Sequence, residues 1–239
     1  MPESTHEELR HLLTGLREFV NYQRRLGMQL IEASYPVTLV RPVAETESPQ
    51  EPPEAMSLEA IREEMGDCRR CQLWQSRTHL VFGVGNPRAG LMFIGEAPGA
   101  EEDRQGEPFV GAAGQLLNRL FDRLAINRQD VYITNVVKSR PPGNRNPAAE
   151  EIAACRPFLL KQIQAIRPRI IVTLGAVATH ALLESKDSLN RLRGNWQQWQ
   201  GIPVMPTFHP SYLLRVPQQR IKTWEDMQKV LARSQGQEG

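Results

Sequence analysis

The chain has 239 residues, 40% of them hydrophobic and 23% charged, with a formal net charge of +2. That is ordinary globular composition, long enough for one full hydrophobic core with residues to spare. No stretch approaches the ~18 consecutive apolar residues of a membrane span, and the acidic, polar N-terminus lacks the basic start and apolar run of a secretory signal, so the expectation is a cytoplasmic protein. The charge is uneven. Residues 1 to 57 hold 5 Arg against 9 acidic residues, net −4, which leaves +6 on the remainder. A mildly basic globular part permits phosphate contacts without demanding them.

From Thr5 the sequence opens like a helix: Thr5-His6-Glu7-Glu8 fits a capping box, and Leu9, Leu12, Leu13, Leu16 and Val20 recur at helical spacing. Residues 1–35 therefore read as an N-terminal helical arm, suited to packing, to self-association or to a protein partner. Five prolines with Glu, Thr and Ser follow between Pro36 and Pro53, a linker composition, and residues 36–56 are assigned to it. Ser57 can cap a short helix carrying Leu58, Ile61 and Met65, at the start of a domain spanning 57–235. That helix leads to Asp67-Cys68-Arg69-Arg70-Cys71. With Cys155 these make three cysteines, an odd number containing a C-x-x-C pair, which in a cytosolic chain points to a metal or redox site before disulfides.

Four apolar runs come next, Leu91 to Ile94, Val131 to Val137, Ile170 to Leu174 and Val204 to Phe208. Between and after them lie helix-like stretches, Gln115 to Ala125, Ala148 to Ile166, Ala176 to Leu183 and Trp224 to Arg233. The alternation predicts an α/β fold, a three-layer α/β/α arrangement around a mainly parallel four-stranded sheet. Each strand runs into polar residues. The first meets the acidic Gly/Pro loop Gly95-Glu96-Ala97-Pro98-Gly99 to Asp103, and the second ends at Asn135. The third ends at Leu174-Gly175, and the fourth at His209-Pro210-Ser211. Ligands bind at the carboxyl ends of such strands, so an acid, an amide, an imidazole and the ring of Phe109 are expected to share a pocket.

Gly95-Glu96-Ala97-Pro98-Gly99 with Pro108-Phe109-Val110-Gly111, Thr134-Asn135-Val136-Val137-Lys138 with Arg140-Pro141-Pro142, and Phe208-His209-Pro210-Ser211-Tyr212-Leu213-Leu214 closely resemble the three site motifs of the iron-sulfur uracil-DNA glycosylases, usually called family 4. The resemblance covers roughly Leu58 to Arg233, in the same order. It implies that Phe109 stacks on a flipped base and that the Asn135 amide reads the uracil edge. It also implies that His209 donates to O2 as negative charge develops there, and that Leu213 is the wedge entering the gap left in the duplex. Glu96 and Ala97 would line the pocket, and Glu102 is a candidate for excluding a thymine methyl or orienting water. Better-known relatives in the wider superfamily carry an Asp where this chain has Ala97. A residue that small cannot orient water, so leaving-group stabilisation by His209 must carry more of the rate. Ser211, Arg215, the Lys138-Ser139-Arg140 segment and Asn144-Arg145-Asn146 are candidate phosphate contacts at the pocket mouth.

The resemblance also implies a [4Fe-4S] cluster on four cysteines. Cys68, Cys71 and Cys155 match, while Ser139 stands at the remaining position, and a serine alkoxide is a hard, high-pKa substitute for the soft thiolate such iron prefers. Three outcomes stay open: a cluster with Ser139 or water on one iron, a smaller cluster or zinc on three cysteines, or no metal. The reading favours a structural cluster of some kind. The implied activity is monofunctional hydrolysis of the N-glycosidic bond of uracil in single- or double-stranded DNA. The alternatives are a non-catalytic relative that binds DNA or protein, and a glycosylase with a broader range of deaminated bases.

Overall fold

The computed structural model describes residues 56–236 together with Thr14 and Arg17. The chain separates into two units, Met1–Gln50 and Glu51–Gly239, and everything that follows concerns the second. Apart from Thr14, Arg17 and Met56, the expected arm and linker lie outside the described residues.

Six strands form one sheet: β1 (Val84–Gly85), β2 (Leu91–Gly95), β3 (Tyr132–Asn135), β4 (Ile170–Leu174), β5 (Gln197–Trp199) and β6 (Ile202–Thr207), in the order β1-β3-β2-β4-β6-β5. The inner four are parallel, as expected, while β1 and β5 flank them antiparallel. The expected four-stranded sheet is thus corrected to six. The edge strands escaped because they are two and three residues long and carry no apolar run. β5 joins β6 through Gln200 and Gly201, both at positive φ (47° and 82°), the two-residue hairpin turn that matches strand twist.

The inner strands are apolar on both sides because both sides are covered. Met92, Ile94, Ile171 and Val204 face one core with Leu159, Ile163 and Leu182, whereas Phe93, Val172 and Met205 face another with Leu117, Phe121 and Met227. The first core belongs to α4 (Ala149–Ile166) and α5 (Ala176–Leu183), the second to α3 (Ala112–Arg123) and α8 (Arg220–Ser234). The three-layer expectation holds. α1 (Leu58–Met65) is capped by Ser57, whose Oγ accepts from the Ala60 N–H at 3.2 Å, and it buries Ile61 and Met65.

Two stretches differ from the sequence reading. The acidic segment after β2 contains a short helix, α2 (Ala100–Gln105), where a loop was expected. The helix at Trp224 begins four residues earlier, at Arg220, and is anchored by a buried carboxylate. Asp226 accepts from Thr207 Oγ1 at 2.6 Å and from Arg193 Nε at 3.1 Å, tying α8 to the end of β6 and to the turn after α6 (Leu189–Leu192). The last helix before it, α7 (Pro210–Arg215), follows β6 directly. Among the described residues no helix is long and apolar enough to cross a membrane.

Candidate active site

The carboxyl ends of β2, β3, β4 and β6 open into a cavity of about 580 Å³. Its walls include Glu96, Ala97, Glu102, Phe109, Asn135, Gly175, His209, Ser211 and Arg215, so most of the predicted site residues do converge.

Against Asn135 and Phe109 lies Gly95, the last residue of β2 and the neighbour of Asn135 across the sheet. A Cβ at this position would lie 2.3 Å from Asn135 Oδ1 and 2.6 Å from Phe109 Cζ, so only glycine lets the amide and the ring approach one another. Asn135 is 1% exposed, and its Oδ1 is buried without a hydrogen-bond partner. A buried carbonyl oxygen left bare costs about 1–3 kcal/mol, which marks this atom as waiting for a donor.

Phe109 holds a left-handed φ of 55°, uncommon for an aromatic residue. Glu102 fixes the loop around it: Oε1 accepts from the N–H groups of Val110 (3.0 Å) and Gly111 (2.8 Å), and Oε2 from that of Gly99 (3.1 Å). Arg128 Nη2 adds a 2.7 Å bond to the carbonyl of Pro108. At the first turn of α3, a Cβ on Gly114 would sit 1.9 Å from the Phe109 carbonyl oxygen, so that turn can pass against the Phe109 main chain only as glycine. Both oxygens of Glu102 are thereby occupied, which gives it a task the motif did not reveal. Glu96 is half-buried with its carboxyl held above the usual carboxylate range by burial.

His209 caps α7. Its Nδ1 accepts from the backbone N–H of Ser211 at 3.1 Å and lies 2.8 Å from Ser211 Oγ. An Nδ1 that accepts leaves the proton of the neutral ring on Nε2. Burial, followed by the charge of Arg215, pushes the imidazole pKa down to about 4. The rings of Phe109 and His209 lie 5.6 Å apart between centroids, so stacking surface and imidazole belong to one compartment.

Three expected residues lie elsewhere. Leu213 is 4% exposed and lines a separate apolar groove with Leu117, Trp224 and Met227, so it does not face the cavity. The apolar side chain exposed on α7 is Leu214, at 37%. Lys138 is 1% exposed and donates to Thr134 Oγ1, the Asn135 carbonyl and Gln162 Oε1 at 2.6, 2.7 and 2.6 Å. An interior ammonium cannot reach a phosphate, which corrects its expected place at the mouth. Ser139 is likewise buried. Arg140, Asn144, Asn146 and Arg215 remain near the opening, while Arg145 is paired with Glu151 through bonds of 2.9 and 2.7 Å.

At the cysteine corner, Cys155 is buried and its Sγ accepts from the Lys138 N–H at 3.3 Å. Burial raises its thiol pKa, and Cys71 and Cys68 lie near enough to add to that rise. Ser139 Oγ instead accepts from Arg77 Nη1 at 3.2 Å, and the same guanidinium reaches the Cys68 carbonyl at 2.7 Å and Asp67 at 2.6 Å. By donor chemistry the three thiols suit an iron-sulfur cluster, while the Ser139 hydroxyl, already bonded to Arg77, does not. Among the described residues no group of three or more His, Cys, Asp or Glu side chains that could hold a metal ion is found.

A model of the uracil DNA glycosylase superfamily matches residues 82–232. The chain is 47% identical over 183 residues to a type-4 uracil-DNA glycosylase of Sulfurisphaera tokodaii, covering 73% of this chain and 83% of the relative. It is 48% identical over 177 residues to the type-4 enzyme of Thermotoga maritima, covering 72% and 92%. This chain belongs to the uracil-DNA glycosylase superfamily. A type-5 uracil-DNA glycosylase of Pyrobaculum aerophilum is more distant, 32% identical over 199 residues, covering 76% and 87%. Within this superfamily member, sequence motifs pointed to Asn135, Phe109 and His209 through their residue types at strand ends. The parts played by Gly95, Gly114 and Lys138 had no comparable signal, because each depends on what a side chain meets across the fold.

Proposed function

We propose that this chain is a monofunctional uracil-DNA glycosylase acting in DNA repair, which hydrolyses the N-glycosidic bond of deoxyuridine in single- or double-stranded DNA and leaves an abasic site. The observation that carries the reading is the bare, buried Oδ1 of Asn135 beside Gly95. The N3–H of uracil supplies the missing donor, and the Nδ2 of the same amide donates to O4; cytosine presents the opposite pattern at both positions. A base lying on the Phe109 ring regains the stacking it loses on leaving the duplex.

His209 then meets O2 with Nε2–H. Breaking the glycosidic bond moves negative charge onto O2, so a fixed donor there stabilises the transition state more than the ground state. A depressed pKa keeps this donor a neutral imidazole at physiological pH. Glu102 acts as a positioning residue, since three backbone N–H groups occupy its oxygens. Glu96 is left as the carboxylate open to the cavity and the group available to orient the attacking water. No lysine lines the cavity among the described residues, in keeping with hydrolysis without a Schiff base. Cys68, Cys71 and Cys155 would hold an iron-sulfur cluster whose contribution is to tie chain segments together. The glycosylase domain is taken as residues 57–235, after the arm and linker.

The test is release of uracil from an oligonucleotide carrying one deoxyuridine, by the parent and by Asn135→Ala. Parental release, reduced about 10²-fold in the variant, is expected from the loss of two hydrogen bonds to one base edge. A folded parent that leaves the oligonucleotide intact would overturn the proposal.

A further inference from the structure

Lys138 is among the largest fully buried side chains of the described residues, and none of the ion pairs found there includes it. Burial pulls the Lys138 pKa down to about 7, and a buried lysine amine is costly unless its hydrogen-bonding capacity is used. It is: the three N–H groups of the ammonium meet three acceptors, Thr134 Oγ1, the Asn135 carbonyl and Gln162 Oε1. The acceptors are themselves fixed. Thr134 Oγ1 donates to the Phe82 carbonyl at 2.9 Å, and Gln162 Nε2 donates to the same oxygen at 2.9 Å. The ammonium therefore sits in a saturated polar cage behind the end of β3.

What the cage grips is the main chain of the base-reading residue. Beyond β3 the chain is held on its other side by β2, through Val136 N–H to the Gly95 carbonyl at 2.9 Å and Val137 N–H to the Glu96 carbonyl at 3.0 Å. Lys138 takes the Asn135 carbonyl, at 2.7 Å. Asn135 Oδ1 has no internal partner, so no hydrogen bond to that oxygen aims the amide. Its direction is set by the backbone that carries it and by the walls at Gly95 and Phe109.

We infer that Lys138 is a positioning residue for base recognition: by clamping the Asn135 carbonyl from inside the fold, its ammonium sets the direction in which the Asn135 amide meets the base. The inference rests on the reading of Asn135 as the group that takes the uracil edge. It also accounts for a lysine four residues past Thr134, where the chain turns back far enough for Nζ to reach both Thr134 and the Asn135 carbonyl.

A double-mutant cycle tests it, using single-turnover uracil release by the full chain at a temperature where each variant is shown to be folded. Lys138→Met keeps length and apolar bulk but removes all three donors. The expected loss is about 10- to 100-fold in the parent background, the scale of a misplaced binding group. In the Asn135→Ala background the same substitution should cost less than about threefold, because the group being aimed is gone. Equal losses in both backgrounds, or Lys138→Met as active as the parent, would overturn the inference while leaving Asn135 as the base reader. An Asn135→Ala variant as active as the parent would instead remove the reading beneath it. If Lys138→Met fails to fold, Lys138→Leu, which also removes all three donors, goes through the same cycle. If neither folds, the ammonium serves folding and the positioning role is withdrawn.

Discussion

A histidine beside a forming anion could be expected to carry a positive charge, yet the surroundings of His209 work against one. Its Nδ1 already receives the Ser211 N–H, and burial opposes protonation. Titration followed by NMR should place its pKa near 4, with the proton of the neutral ring on Nε2. Because the folded value lies below the ordinary 6.5, the unfolded chain binds the proton more readily between the two. This group therefore lowers stability as pH falls from about 6.5 to about 4 and has no effect above that window. His209→Ala should lower single-turnover uracil release by about 10²–10³, the usual cost of one preorganised donor to a developing oxyanion. Parental activity in that variant would remove His209 from the mechanism. That His209, Asn135 and Phe109 share a cavity was open to sequence reasoning, because an imidazole and an amide at strand ends, with a ring in the following loop, have few other reasons to gather. Which of Leu213 and Leu214 is covered could not be read from the sequence. Residues 213 and 214 point about 100° apart on α7, and only tertiary packing decides which of them is covered.

At the level of elements, the loop carrying Phe109 is held in a conformation its own sequence does not favour. The clamp is Glu102, presented by α2, a helix too short for its pattern to stand out. Glu102→Gln replaces one accepting oxygen by an amide nitrogen, so at least one N–H among Gly99, Val110 and Gly111 loses its partner. Urea denaturation should show a loss of about 1–3 kcal/mol, and uracil release should fall with it as the ring leaves its seat. A variant as stable as the parent would show that the left-handed turn at Phe109 sustains itself. The four parallel strands and the long helices were legible because burial on both faces imposes continuous apolar runs. Edge strands such as β5 answer to their neighbours' hydrogen bonds and leave little trace in composition.

For the molecule as a whole, the corner formed by Cys68, Cys71, Ser139 and Cys155 joins the entrance of the domain to the loop after Asn135 and to α4. Ser139→Cys supplies a fourth thiol, and protein purified without air should then retain more iron and sulfide and melt at a higher temperature. Unchanged iron content and melting would mean that the Arg77 contacts to Ser139, Cys68 and Asp67 already suffice as the tie. The same molecule must pass over far more cytosine than uracil as it samples DNA, and the solitary oxygen of Asn135 bears on that search. An everted cytosine would bring the lone pair of N3 against the lone pair of Oδ1. Fidelity on this account comes less from holding the damaged base than from expelling the normal one, and the pocket is set to do so before any base arrives.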